Sequence, residues 1–314
     1  MLLRNILFYD KKKDILFFSM EMIPYDKRSG KIWFNGKVVN WKDAQIHVLN
    51  HGLHYASCVF EGERVYDGEI FKLGEHTERL FYSAKRMGIK VPYSQAEINE
   101  ACKNIVNIQK VKNGYVRPVI WRGSEMMAIS AQKNKVHVAI ATWEWGSYFD
   151  PKLKIEGIKL NISKWRRPAP NTIPWDTKAA GLYMICTLSK HEAEEQGFTD
   201  SLMLDFEGNI AEATGANIFF KSKDGQLHTP IPDSFLDGIT RRAVIEIAKS
   251  KNIKINERKI LPDEMKNFVG CFLTGTAAEI TPVSKIDKFD FKVCKLIKDL
   301  SDSYQNIVRK KSAA

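Results

Sequence analysis

A chain of 314 residues with 44% apolar content is long enough for two compact domains and too apolar for a disordered protein. Its formal charge of +11 comes from basic residues dispersed along the chain, without the single stripe and interleaved aromatics that mark a nucleic-acid-binding surface. Cys58, Cys102, Cys186, Cys271 and Cys294 are widely and irregularly spaced and no apolar run reaches membrane-span length, which argues against a disulfide scaffold and a membrane protein and points to a cytoplasmic setting.

Residues 1–22 read as an extension. Lys11-Lys12-Lys13 sits between short apolar clusters with no small-residue cleavage site, so a signal peptide is not expected; translation from Met20 or Met22 would make residues 1–19 dispensable. Hairpins are predicted over 31–39, turning at Asn35-Gly36, and over 64–73, turning at Asp67-Gly68. Apolar residues at three- and four-residue intervals predict helices over 75–87 and 95–109, and buried strands follow at 115–121 and 136–143. A small N-terminal domain over 23–145 and a linker over 146–152 are expected, the linker marked by Gly, Ser, Asp and Pro.

A larger C-terminal domain is expected over 153–314. Strands are predicted at 158–163, 201–205, 217–220, 227–229 and 271–274, and helices at 181–196, 239–250 and 291–308. Strands and helices mix without strict alternation, so the fold class is α/β of the mixed α+β kind, two units meeting at a cleft, and not a doubly wound sheet.

The chemistry concentrates in this second half. Lys178 follows the Pro-rich run 167–174 and precedes Ala179-Ala180-Gly181, an arrangement that can hold an amine partly desolvated and nucleophilic. Gly238-Ile239-Thr240 opens a helix and Gly275-Thr276 follows a strand; glycine permits close backbone approach and free N–H groups cradle a phosphate. Glu212 stands among small and apolar residues, where a carboxylate needs a cation. A nucleophilic lysine, phosphate cups and an isolated acid together suit pyridoxal 5'-phosphate, whose ring nitrogen needs an acidic partner.

In order, Lys178-Ala179-Ala180-Gly181-Leu182-Tyr183, Glu212 to Phe219, Leu227-His228-Thr229, Gly238-Ile239-Thr240-Arg241 and Gly275-Thr276-Ala277-Ala278-Glu279 resemble the class IV, fold-type IV pyridoxal-phosphate aminotransferases. Within that group the chain resembles branched-chain-amino-acid aminotransferases from about Ile32 to Ile286. The resemblance implies a small N-terminal α/β domain, a larger C-terminal pseudo-barrel and an active site in the cleft between them. It implies Lys178 as the amine that bonds the cofactor and moves the substrate's Cα proton, Glu212 on the pyridine nitrogen and Tyr183 on the phenolic oxygen. Arg64, Ile239, Thr240 and Thr276 would hold the phosphate, beside Gly238 and Gly275.

For substrate, the resemblance implies a pocket of Tyr55, Phe60, Tyr115 and Trp145, with Arg117 receiving the distal carboxylate of glutamate and the Ala277-Ala278 backbone meeting the α-carboxylate. The expected reaction is ping-pong exchange between leucine, isoleucine or valine and 2-oxoglutarate, in a homodimer or higher homo-oligomer. D-amino-acid aminotransferases carry Arg-x-His near this point, where this chain has Arg117-Pro118-Val119. Amine transaminases and aminodeoxychorismate lyases share the fold and remain alternatives. The family's Glu-Gly-x-Gly-Glu-Asn is here Glu212-Ala213-Thr214-Gly215-Ala216-Asn217, both ends kept and the middle changed. His47, His51 and His54 offer a zinc reading, opposed by the turn at Asn50-His51-Gly52 and the lack of a nearby acidic or cysteine partner, so no metal is expected.

Overall fold

A computed structural model describes residues 3–10, 15–146, 148–149 and 151–309. Leu3–Asp10 and Ile15–Met22 pair antiparallel, while the Lys11-Lys12-Lys13 cluster lies outside the described residues, as do Ser147 and Asp150 of the expected linker.

The first unit is a seven-stranded sheet in the order Lys37–Asn40, Lys31–Phe34, Val136–Glu144, Gly114–Arg122, Glu63–Tyr66 and Glu69–Ile70, with Cys58–Phe60 also paired to Gly114–Arg122. Its two tight turns have φ of 50° and 84° at Asn35 and Gly36, and 52° and 91° at Asp67 and Gly68. Two left-handed residues match the strand twist, which is why Asn-Gly and Asp-Gly stand there. The Leu73–Arg86 and Gln95–Ile108 helices bury Leu80, Ala84, Ile98 and Ile105 against Val65, Val116 and Ile120 of the sheet. The second helix starts sharply, because Ser94 and Glu97 form a reciprocal capping box.

The second unit is a barrel. Ile210–Ala213, Asp200–Leu204, Ile158–Arg166, Glu279–Ile286, Phe268–Gly275 and Asn217–Ser222 neighbour one another in that order, and pairing of the last with the first closes the ring. Ile158–Arg166 runs parallel to both its neighbours and the remaining pairs in the ring are antiparallel. Alternation sorts the side chains: Ile218, Phe220, Cys271 and Leu273 belong to one core, Phe219 and Phe272 to another shared with the Ile239–Ser250 and Lys295–Val308 helices. Among the described residues no helix is long and apolar enough to cross a membrane.

The helix expected over 291–308 starts only at Lys295, because Phe291 is drawn into the barrel core. The expected 181–196 helix opens as a 3₁₀ turn over Ala180–Tyr183 before Met184–Glu195. Glu279–Ile286, absent from the strands read in the sequence, is a central barrel strand.

Candidate active site

Lys178 lies where the two units meet. Its carbonyl accepts from Phe60 N at 3.1 Å, its own N–H donates to Ser83 Oγ at 3.0 Å, and Ala179 bridges to Val59, so the lysine's backbone is stitched to the first sheet and its helix. The side chain enters a cavity and its Nζ donates to Tyr183 Oη at 2.8 Å. Burial lowers the amine's pKa, with the Arg79 and Arg117 charges adding and Glu61 opposing. Burial also pushes the Tyr183 phenol up, with the Glu212 charge adding, so Tyr183 stays a neutral partner.

Glu212 stands on the barrel wall of the same cavity. It pairs across the hairpin with Asn217, whose amide donates to Glu212 Oε2 at 3.1 Å, and Arg167 Nε lies 3.5 Å from Oε1. That contact ties together the two ends of the Glu212–Asn217 motif. Burial pushes Glu212 up to about 7, against the opposing pull of Arg167 and Lys178. Asn217 also donates to Leu236 O at 2.9 Å and accepts from Gly238 N at 3.0 Å, fixing the acid and the helix start relative to each other. A Cβ at Gly238 would lie 2.2 Å from Asn217 Oδ1, so glycine is required there.

Gly238, Ile239, Thr240, Gly275, Thr276 and Ala277 line the other end. Among the described residues no side chain caps the helix that begins at Ile239, which leaves its first N–H groups open. Arg79 is among the residues lining this cavity, and Arg64, the arginine expected from the sequence, is not. Arg64 shares a strand face with Tyr66, is drawn beneath Trp145 at 5.7 Å, and donates Nη1 to Gly146 O at 2.8 Å. Arg79 lines the cavity and is held by Glu61 through Nε at 2.6 Å and Nη2 at 2.9 Å, while His76 Nδ1 meets the same carboxylate at 2.7 Å. Its signal was an arginine three residues after a histidine on the apolar face of a helix. Glu61 and Arg167 gave none, since their partners are distant in sequence.

Tyr115 lines the cavity with its hydroxyl against Gly62, where a Cβ would lie 1.7 Å from the oxygen. Trp145 meets the Tyr115 ring edge-on at 4.7 Å. Phe60 lies between cations, with Lys178 Nζ at 5.1 Å and the Arg117 guanidinium at 4.6 Å from its ring centre. Ala278 is buried behind the turn. Tyr55 does not join this group within one chain: it ends the short His51–Tyr55 helix, 42% exposed and packed on His51. The three histidines do not converge either. His51 Nε2 meets Ala128 O and His54 Nε2 meets Val48 O, both at 2.9 Å, and His47 Nδ1 accepts from Leu49 N at 3.1 Å. Among the described residues no cluster is placed to hold a metal ion.

The sequence profile of amino-transferase class IV matches residues 58–286. The chain belongs to this family of class IV aminotransferases. A probable branched-chain-amino-acid aminotransferase of Rickettsia felis is 42% identical over 294 residues, spanning 92% of this chain and 100% of that protein. The branched-chain-amino-acid aminotransferase of Escherichia coli is 39% identical over 267 residues, 83% of this chain and 86% of that one. The crystal structure of the Escherichia coli branched-chain enzyme matches with a TM-score of 0.88 at 35% identity, covering 91% of this chain and 97% of that one. The branched-chain enzyme of Thermobaculum terrenum, solved in its pyridoxal-phosphate form, matches at 0.83 and 27%, covering 90% and 95%.

Pyridoxal 5'-phosphate is the cofactor of class IV aminotransferases, and the residues present fit it. Among the described residues Thr274 Oγ1 lines the cavity buried and without a hydrogen-bond partner, the helix at Ile239 has no side-chain cap, and the ion pair of Glu212 with Arg167 is loose, at 3.5 Å. An uncapped helix start suits a phosphate and an underpaired buried carboxyl suits a protonated ring nitrogen.

Proposed function

We infer that this aminotransferase exchanges the amino group of L-leucine, L-isoleucine or L-valine with 2-oxoglutarate, reversibly and by alternating half-reactions. The observation that carries the reading is the Lys178 amine, 2.8 Å from Tyr183 Oη, in one cavity with Glu212 and the Ile239 helix start. Support for branched substrates comes from the relatives' names and from the aromatic wall of Tyr115, Phe60 and Trp145.

Pyridoxal phosphate supplies a reactive aldehyde and an electron-accepting ring. Lys178 would carry it, Glu212 would face its ring nitrogen and Tyr183 its phenolic oxygen. Arg79, Ile239, Thr240 and Thr276 would hold the phosphate, beside Gly238 and Gly275. Lys178 Nζ, with its lowered pKa, then takes up and returns the substrate's Cα proton, a role that typically supplies about 10²–10⁴-fold. Ala277 and Ala278 would meet the α-carboxylate through backbone, and Arg117 the distal carboxylate of glutamate.

A homodimer or higher homo-oligomer would cover Ile46, Val48, Leu49, Leu53 and Tyr55, which are between 42% and 67% exposed in one run of chain, and would bring Tyr55 into use. Light scattering on the eluting protein checks this, a monomer excluding it. A cytoplasmic location is supported by five free cysteines.

The test is borohydride reduction of the holoenzyme followed by peptide mapping, together with an amino-donor panel against 2-oxoglutarate. The cofactor adduct is expected on Lys178, with all three branched amino acids active. An adduct on another residue would remove the mechanism, and activity confined to D-alanine or simple amines would remove the substrate class.

A further inference from the structure

The hairpin that presents Ala277 and Ala278 to the cavity has an unusual residue at its end. Gly275 pairs with Glu279 across the three-residue loop 276–278, and Glu279 has φ of 55°. Glu279 closes the loop from the left-handed region, which glycine adopts without strain and a residue with a side chain rarely does. A glutamate is kept there, 7% exposed, with its carboxylate turned inward.

That carboxylate gathers three other elements. Tyr66 Oη, from the first sheet, donates to Oε1 at 2.8 Å, Lys154 Nζ, from the Pro151–Glu156 helix that follows the linker, donates to Oε2 at 2.7 Å, and Gln305 of the last helix adds a further bond. Beside it, Thr281 Oγ1 donates to Ala278 O at 2.6 Å and closes the loop from within. Burial would raise the Glu279 pKa, and Lys154 with the hydrogen bonds reverses this to a net lowering, so Glu279 is an anion at neutral pH. Tyr66 lies two residues from Arg64, whose guanidinium holds Gly146 O, so one strand face of the first unit grips both the linker and the loop.

We propose that Glu279 is a positioning residue for substrate: its strained backbone and three-way anchored carboxylate set the Thr276-Ala277-Ala278 loop so that its backbone receives the substrate's α-carboxylate. A glycine would form the loop without strain but leave it tied to nothing. The proposal rests on the reading of Ala277 and Ala278 given above and adds the residue that aims them.

The experiment uses holoenzyme loaded with pyridoxal phosphate and 4-methylpentanoate, which has leucine's carbon skeleton and carboxylate without its amine. Calorimetric titration gives its dissociation constant, and steady-state kinetics with leucine gives KM and kcat. Glu279→Gln is expected to weaken 4-methylpentanoate about tenfold and raise KM to match, with kcat changed less than about threefold, the pattern of lost binding shared by ground and transition states. Lys154→Met should shift both in the same direction by less, and the double variant should be no worse than Glu279→Gln, because the two act as one unit. Glu279→Gly should keep or raise the thermal midpoint and still bind weakly, which a residue serving stability alone would not do. Should Glu279→Gln fail to fold, Glu279→Gly and the half-exposed Lys154 carry the test. Wild-type affinity in both Glu279 variants, or strictly additive losses, overturns the proposal. If the wild type binds no 4-methylpentanoate, the branched-chain reading falls first and the proposal with it.

Discussion

On the sheet side of the cavity Glu61 is surrounded, with Arg79 on both oxygens, His76 on one, and the Gly62 N–H at 3.2 Å. On the barrel side Glu212 has one amide at 3.1 Å and a guanidinium nitrogen no closer than 3.5 Å. Burial raises the pKa of both, and the neighbours decide the outcome. Arg79 and His76 hold Glu61 well below the usual carboxylate range, whereas Glu212 is pushed up to about 7. A buried carboxylate that is fully paired serves the architecture. One left short of a cation on a cavity wall is a place where a ligand can supply it.

The strongest way to break this contrast is to make Glu61 resemble Glu212. Arg79→Met strips the guanidinium from a carboxylate with no exposure, and breaking a buried pair from one side typically costs about 3–5 kcal/mol. Urea unfolding of the apoprotein should show a loss of that order, and Arg79→Met combined with Glu61→Gln should recover most of it. A single-variant loss below about 1 kcal/mol would mean that Glu61 is not held as described. The same variant separates the two arginines by function. Losing a charged phosphate contact of about 1.5–3 kcal/mol should narrow the preference for pyridoxal phosphate over pyridoxal by roughly 10–100-fold in Arg79→Met, with no such change in Arg64→Met. The reverse pattern would restore Arg64 to the phosphate.

Much of the fold was legible because local rules and tertiary need agree. The helix periodicity places Leu80, Ala84, Ile98 and Ile105 on buried faces, and the Asn35-Gly36 and Asp67-Gly68 turns have the positive φ their residues suit. The Glu279–Ile286 strand was hidden by Pro282, which looks like a strand breaker yet sits opposite Phe272 in the barrel. In the site, Lys178, Tyr183 and Glu212 were visible because each lies within a short motif of small residues. Arg79, Glu61 and Arg167 were not, because their chemistry arises from contacts across 18 and 45 positions that only the assembled walls create. Tyr55 is the opposite case: its motif is recognisable, but one chain leaves it facing solvent, and only a second copy could bring it to the site.

Glu212→Gln sharpens the comparison from the other side. Between pH 4.5 and about 7 the unfolded chain loses the proton that the folded Glu212 keeps, so the native state binds more protons and stability falls as pH rises through that window. The full shift corresponds to roughly 3 kcal/mol at 1.36 kcal/mol per pKa unit. The apo form of Glu212→Gln should therefore match the wild type below pH 4.5 and exceed it by up to about that amount at pH 8, while transamination drops. Denaturation midpoints at the two pH values provide the check. A variant less stable than wild type at pH 8 would show that Glu212 is already satisfied without the cofactor.

Glu63 supplies the smallest step and a control that lies away from the cavity. It is two residues beyond Glu61 on the same sheet, has no exposure, and neither of its oxygens has a hydrogen-bond partner among the described residues. Burial, with the Glu61 charge adding, pushes its pKa well above the ordinary value and favours the neutral acid, and burial likewise raises the nearby Cys102 thiol. Glu63→Met keeps the length and removes an unsatisfied carbonyl acceptor and an unsatisfied hydroxyl, each of which typically costs about 1–3 kcal/mol when buried; methionine's looser fit offsets part of this. The expected net gain is about 1–2 kcal/mol at pH 4.5, increasing at higher pH as the unfolded carboxyl ionises and the folded one does not. Cofactor affinity and the Lys178 adduct should not change, because the side chain faces the helices and not the cavity. A loss of stability at every pH would place a partner on Glu63 that its surroundings do not contain, and a change in cofactor affinity would join it to the Glu61–Arg79 wall after all.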